Sequence, residues 1–171
     1  MSELETIARQ KIEISLEQRL TGLSAEIKAI QRELSAKGLL RSGAMLKRVL
    51  SACCSAVDSH AALVTSEYEW AVSQALLVSQ SWVEGLVTEA AGCLDRLRVP
   101  VRGHLEQACK VADQPRLLDR LYNEFESNEL AAKSRVALSL RTKFAERRRG
   151  LIRGLPRVVS RLISKLFRGG A

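Results

Sequence analysis

The sequence predicts an all-α fold, an elongated bundle or hairpin of long helices that ends in a basic amphipathic helix. Apolar residues recur at helical spacing along most of the chain, and we find no segment that predicts a strand. Turns must be few, because three prolines and ten glycines are spread over 171 residues. The apolar residues, 46 % of the chain, are mostly Leu, Ala, Val and Ile. A chain of this length buries a sizeable core. We therefore expect a long-helix domain over residues 1–149 and a C-terminal helix over residues 150–171.

The first helix is predicted from about Glu3 to Lys37. Apolar residues in it alternate steps of four and three and so form a heptad seam: Leu16, Leu20, Leu23, Ile27, Ile30 and Leu34. This seam is typical of a coiled-coil-like hairpin or dimer, but an ordinary bundle helix with its apolar side on the core gives the same pattern. Gly38 and Gly43 indicate the turn that follows.

The second helical segment, from Ala44 to Leu97, contains no proline. An apolar stripe runs through it with a mean step close to the 3.6 residues of a straight α-helix. As one rod it would be roughly 80 Å long at 1.5 Å per residue. Ser66 and Glu69 have the spacing of a capping box, which places a possible break at Ser66. The sequence leaves one helix and two stacked helices both open.

Proline positions divide the next part of the chain. Pro100 is expected to end the second segment, and a short helix is predicted over Val101 to Val111. Pro115 then stands at a favourable first helical position. The helix that it begins should run to about Arg149.

The last part of the chain is strongly basic. Residues 133–171 contain twelve Lys or Arg and one acid, whereas residues 1–132 have a balance of −3. Gly150, Gly154 and Pro156 predict a turn, followed by a short helix from Pro156 to Arg168. Its cationic edge consists of Arg153, Arg157, Arg161, Lys165 and Arg168, and its apolar face of Leu155, Val158, Val159, Leu162, Ile163, Leu166 and Phe167.

The middle of the chain is acidic. Between Arg48 and Arg96 there is no Lys or Arg, but there are six acids, Asp58, Glu67, Glu69, Glu84, Glu89 and Asp95. These acids could form an ordinary solvated face. Alternatively, the basic C-terminal helix folds back on them and is held there until a competing anion appears.

No enzymatic motif is present. We find no Gly-rich phosphate loop, no nucleophile elbow and no H-E-x-x-H. The cysteines lack the spacing of metal ligands, and neither histidine lies in a catalytic motif. We therefore expect a non-enzymatic protein with no catalytic residue, no cofactor, no metal and no small-molecule substrate.

The basic C-terminal part is the strongest functional signal, and we expect it to contact an anionic surface. The predicted contact residues are Arg147, Arg148, Arg149, Arg153, Arg157, Arg161, Lys165 and Arg168. On an anionic membrane the apolar face would enter the boundary between headgroups and acyl chains. The alternative is nucleic-acid binding by the basic segment 133–168, with strong salt dependence. The large apolar face favours the membrane, because phosphate binding does not require it.

A third hypothesis has no anionic ligand. The apolar face would pack on the bundle, and the protein would be a structural homo-oligomer or a scaffold for a helical partner. Its interface would be the heptad seam or the long Ala-rich rod, where Ala71, Ala75 and Ala90 permit close approach of helices. We expect no secretory signal. The best candidate for a membrane span, Ala71 to Leu94, contains four Gln or Glu residues and is too polar. The expected location is the cytoplasm, with peripheral attachment to the membrane.

Overall fold

The computed structural model describes residues 3–75 and 77–166, with side chains up to Arg149. Within these residues the chain forms five α-helices and no strand, so the all-α prediction is confirmed. The helices are α1 (Glu3–Ala36), α2 (Gly43–Gln74), α3 (Gln80–Asp95), α4 (Arg98–Val111) and α5 (Leu118–Leu166), and a 3-10 turn, Pro115–Leu117, precedes α5.

Helix α2 is the centre of the bundle, since it packs against α1, α3, α4 and α5. It runs antiparallel to α1. Lys11, near the start of α1, pairs with Glu67 near the end of α2, and Arg48 of α2 pairs with Glu33 near the end of α1. The two helices are therefore a hairpin closed by the turn at Gly38.

Helix α5 runs parallel to α2. The Asn128 side chain donates to the Cys54 carbonyl, and Ser139, eleven residues later, donates to Glu69. Helix α3 is antiparallel to α5, because Glu84 at its start contacts Arg141 and Asp95 at its end contacts Lys133. Helix α4 begins three residues after the end of α3 and also packs on α5.

The heptad seam of α1 packs in the core of its own chain. Leu16, Leu23, Ile27, Ile30 and Leu34 are buried, and Leu20 is half-buried against the same core. The helix against which they pack is α2. A homo-oligomer would therefore have to use another surface.

The segment from Ala44 to Leu97 forms two helices, and the break lies at Ala75–Ser79 rather than at Ser66. The Ser66 hydroxyl donates to the Leu63 carbonyl within α2 and caps nothing. The cap of α3 is Ser79, whose hydroxyl accepts from the Trp82 N–H at 3.2 Å. The expected break at Ser66 was wrong because a serine inside a helix can bond its own preceding turn.

Pro100 does not end the second segment. Helix α3 ends at Asp95, and Pro100 is the third residue of α4. Proline is tolerated there because the first turn of a helix has no internal acceptors for its N–H groups. Pro115 does begin the turn that leads into α5, as predicted.

The predicted turn at Gly150 is not formed. Helix α5 continues through Gly150, Gly154 and Pro156 to Leu166. The helical spacing of apolar residues is maintained across Gly150, and a glycine inside a helix costs only about 1 kcal/mol relative to alanine. The residues on either side of position 150 therefore belong to one helix.

Among the described residues, α2 is long and apolar enough to cross a membrane by length and composition alone. Half of its most apolar stretch is buried inside the bundle, which is typical of a core helix. The sequence candidate Ala71 to Leu94 is divided between α2 and α3.

Candidate anionic-surface interface

All six acids of the chain's middle have partners in the structure. Four partners come from α5 and two from α1: Arg135 for Asp58, Ser139 for Glu69, Arg141 for Glu84, Lys133 for Asp95, Lys11 for Glu67 and Arg9 for Glu89. Five of these six partners are cations, and each of them forms an ion pair within the chain. The first part of the basic segment thus packs on the acidic helices. The hypothesis that the C-terminal helix folds back on these acids concerns residues beyond the described side chains and stays a prediction.

The contact between Arg141 and Glu84 has the geometry of a bidentate pair. Arg141 Nε lies 2.9 Å from Glu84 Oε1, and Arg141 Nη2 lies 2.7 Å from Oε2. The hydrogen bonds from Arg141 lower the pKa of Glu84 below its usual value. Both side chains are exposed, so the pair orients α5 on α3 but contributes little stability.

Arg147 closes the end of α2. Its Nη1 donates to the Ser73 carbonyl and its Nη2 to the Ala75 carbonyl. The last carbonyls of a helix lack internal donors, and a cation there also complements the helix dipole. Arg147, one of the predicted contacts to an anionic surface, is therefore engaged with the chain's own backbone.

Arg148 and Arg149 are in a different situation. Both are exposed, and neither forms an ion pair with another described residue. Arg147 is therefore the last cation of α5 that is engaged within the described part of the chain, and Arg148 and Arg149 follow it.

The remaining predicted contacts lie beyond the described side chains. Arg153, Arg157, Arg161 and Lys165 belong to α5, as do Leu155, Val158, Val159, Leu162, Ile163 and Leu166. Phe167 and Arg168 lie outside the described residues. The roles of all these residues stay predictions.

The connection between α2 and α3 lies beside Arg147 and presents an apolar side chain to solvent. Leu77 is 91 % exposed. Next to it, a cavity of about 260 Å³ is lined by Val78, Gln80, Phe144, Arg147 and Arg148. Sequence reasoning missed this place, although Leu76, Leu77 and Val78 form an uninterrupted apolar run.

A second charged cluster lies where α3 and α4 meet α5. Glu129 is fully buried, and its Oε2 accepts from Arg98 Nε at 2.7 Å. Lys133 Nζ lies 2.8 Å from Glu129 Oε1 and 2.7 Å from Asp95 Oδ1. Asp95 Oδ1 is in turn 3.1 Å from Arg98 Nε, which closes a ring of two acids and two bases. The balanced charges of this ring make it a structural cluster.

The cysteines and histidines show no activation for chemistry. Burial raises the pKa of the Cys53 thiol to about 12 and that of Cys54 to about 11, so neither is a reactive thiolate at neutral pH. His60 is fully buried, and both of its ring nitrogens lack a hydrogen-bond partner in the structure. Within the described part of the chain, no group of three or more His, Cys, Asp or Glu residues could hold a metal ion.

No family model, curated protein or solved structure matches this chain. The function of the candidate interface therefore has to be inferred from the sequence and structure of this chain.

Proposed function

We propose that this protein is a non-enzymatic helical interaction protein that attaches to an anionic membrane surface through the C-terminal part of α5. The observation that carries the proposal is the division of cations along this helix. Lys133, Arg135, Arg141 and Arg147 contact the bundle's own acids and carbonyls. Arg148 and Arg149, which come next, are exposed and form no ion pair with another described residue.

The composition of the last residues supports a lipid surface. Residues 150–171 contain five Lys or Arg and no acid. They also contain the apolar residues predicted to form one face, and such a face can enter the boundary between headgroups and acyl chains. A protein that bound only phosphates would gain nothing from seven large apolar side chains.

The length of α5 supports the same proposal. Arg147 lies opposite the end of α2, and α5 continues for 19 residues after it to Leu166. At about 1.5 Å per residue this is roughly 28 Å of helix. We infer that this part of α5 is available to a surface outside the bundle.

The energetics are sufficient for reversible attachment. Each basic residue near an anionic surface contributes about 1 kcal/mol, and seven such residues follow Arg147. The apolar face adds the free energy of burying its side chains. The cytoplasmic leaflet, which carries the anionic lipids, is the proposed location.

Vesicle flotation with the full-length protein tests the proposal. The unaltered protein should float with phosphatidylcholine–phosphatidylserine vesicles and not with phosphatidylcholine alone. Combining Arg153→Glu, Arg157→Glu and Arg161→Glu should weaken binding about a hundredfold, since three contributions of about 1 kcal/mol are lost. The control combines Lys28→Glu, Arg32→Glu and Lys47→Glu, which changes net charge equally with exposed residues at the opposite end of the bundle.

Two results would contradict the membrane function. Equal loss of binding in both triple variants would mean that only net charge matters. Binding to duplex DNA or RNA that falls steeply with salt, without binding to anionic vesicles, would favour the nucleic-acid alternative.

A further inference from the structure

The end of the bundle at which α5 passes α2 carries an apolar turn. Of the large hydrophobic residues that the structure describes as exposed, Leu77 has the highest exposure, at 91 %. Val78 beside it is half-buried. A single exposed leucine is common on protein surfaces, so its neighbours decide whether it has a role.

The neighbours of this turn are cationic. Arg147 donates to the carbonyls of Ser73 and Ala75, two to four residues before Leu77. These two hydrogen bonds hold the neighbouring Arg148 close to the turn, where it lines the same cavity as Val78. Arg148 and Arg149 are exposed, and Glu146 is the one acid between Lys133 and Arg149. An apolar tip beside a row of arginines is complementary to a bilayer with anionic headgroups.

The described apolar surface of the turn is small. A stable protein interface buries about 800 Å² per partner, and Leu77 and Val78 would supply only a small part of it. Shallow insertion into a bilayer needs no such area, because a single leucine already gains free energy when it leaves water.

We propose that this end of the bundle docks on an anionic bilayer, with Leu77 and Val78 entering the headgroup region and Arg148 and Arg149 beside the lipid phosphates. The inference rests on the proposed function and adds a second contact, separate from residues 150–171. Two contacts from one rigid bundle fix its orientation: the axis of α2 points toward the membrane, and the turn at Gly38 points away from it.

Substitution at Leu77 tests this contact. Leu77→Asp should weaken binding of the full-length protein to phosphatidylcholine–phosphatidylserine vesicles about tenfold, since burial of a leucine is lost. Val99→Asp is the matched control, because Val99 is 82 % exposed and lies on α4, away from this end. It should leave binding unchanged. Thermal unfolding should show that both variants remain folded, since neither side chain contributes to the core.

A fluorescent label reports insertion directly. We expect an environment-sensitive dye on the Leu77→Cys variant to shift to shorter wavelength when anionic vesicles are added. The same dye on the Leu39→Cys variant, in the turn at the other end, should not respond. Brief labelling at neutral pH should select the new cysteine, because burial raises the pKa of all four native thiols.

The outcomes separate this inference from the function on which it rests. If the Arg153, Arg157 and Arg161 triple variant loses binding but Leu77→Asp does not, the membrane function stands and the docking end is wrong. If the unaltered protein does not bind anionic vesicles, both fail. If the dye at position 77 is already shielded from water without vesicles, the inference is also wrong. Shielding that grows with protein concentration would mean that a second copy covers Leu77. Shielding that does not depend on concentration would mean that the chain's own C-terminal residues cover it.

Discussion

Lys133 Nζ lies 2.8 Å from Oε1 of Glu129, one helical turn earlier in α5, and Glu129 is fully buried. Arg98 and Asp95 complete the ring around this pair. Burial alone would lower the pKa of Lys133, but its hydrogen bonds to Asp95 and Glu129 raise it above the usual value. The ring joins the end of α3 and the start of α4 to α5.

Removing both cations from this ring should be severely destabilising. The combination of Arg98→Met and Lys133→Met leaves the Glu129 carboxylate buried without a counter-charge, which should cost about 3–5 kcal/mol of unfolding free energy. Adding Glu129→Met should restore most of this loss, because an apolar residue of similar volume needs no partner. Urea denaturation of the double and triple variants measures both effects. If the double variant is as stable as the unaltered protein, the ring has no structural role.

His60 makes stability depend on pH. Burial, and then the positive charges of Arg19 and Arg96, lower its pKa to about 4, while Glu13 opposes this shift. In the unfolded chain the pKa is about 6.5. The unfolded state therefore binds more protons between pH 6.5 and 4, and the folded state loses stability as the pH falls through this range. The full loss is on the order of 3 kcal/mol.

Urea midpoints across this range measure the effect. The His60→Leu variant should lose this part of the pH dependence. It should also be about 1 kcal/mol more stable at pH 7, because both ring nitrogens are buried without partners. His104→Gln is the control, since His104 is only partly buried and bonds Ser24. An unchanged pH profile in His60→Leu would show that His60 does not titrate as described.

Arg147 and Arg148 are adjacent but should have opposite roles. Arg147→Met removes two bonds to the end of α2 and should lower stability by about 2 kcal/mol. Arg148→Met should leave stability unchanged and weaken binding to anionic vesicles. Thermal or urea unfolding and vesicle flotation of the two variants separate these effects. If the two variants lose stability equally, Arg147 does not cap α2.

Gly38 requires a backbone conformation that other residues avoid. Its φ is +69°, and the Leu39 N–H bonds the Leu34 carbonyl at 2.8 Å across it. This is the arrangement of a Schellman motif with glycine in the left-handed position. Gly38→Ala should therefore cost about 1 kcal/mol. Gly22→Ala, within α1 and with free space at its Cβ, should instead stabilise the protein by up to about 1 kcal/mol.

The first helix could be predicted almost completely from the sequence. The heptad seam and Gly38 gave α1 as Glu3 to Lys37, and the helix ends at Ala36. Local periodicity and a glycine in the left-handed conformation are enough to specify such an element.

The break between α2 and α3 could not be placed because its cause is not local. Ala75 and Val78 continue the apolar stripe, and no glycine or proline interrupts it. Part of what stabilises the end of α2 is Arg147, which is 72 residues distant from Ala75. The local signal is the capping residue Ser79, which the sequence alone does not distinguish from the many other serines of this chain.

The charge pattern predicted part of the candidate site. The opposite signs of the middle and the C-terminal part indicated a possible contact between them, but the hypothesis assigned it to the C-terminal helix. The cations that contact the acids of α2 and α3 are Lys133, Arg135 and Arg141, earlier in α5. The contributions of Arg9 and Lys11 from α1 were not foreseen, because they depend on the packing of α1 against both helices.

The continuity of α5 has a mechanical consequence. The helix that supplies Phe125, Ala132, Val136 and Leu140 to the core runs without a linker to Leu166. Tension applied at its last turns would be transmitted along a stiff rod to the interior, where a tether would have absorbed it. A surface that binds the last part of this helix would therefore also set the orientation of the whole molecule.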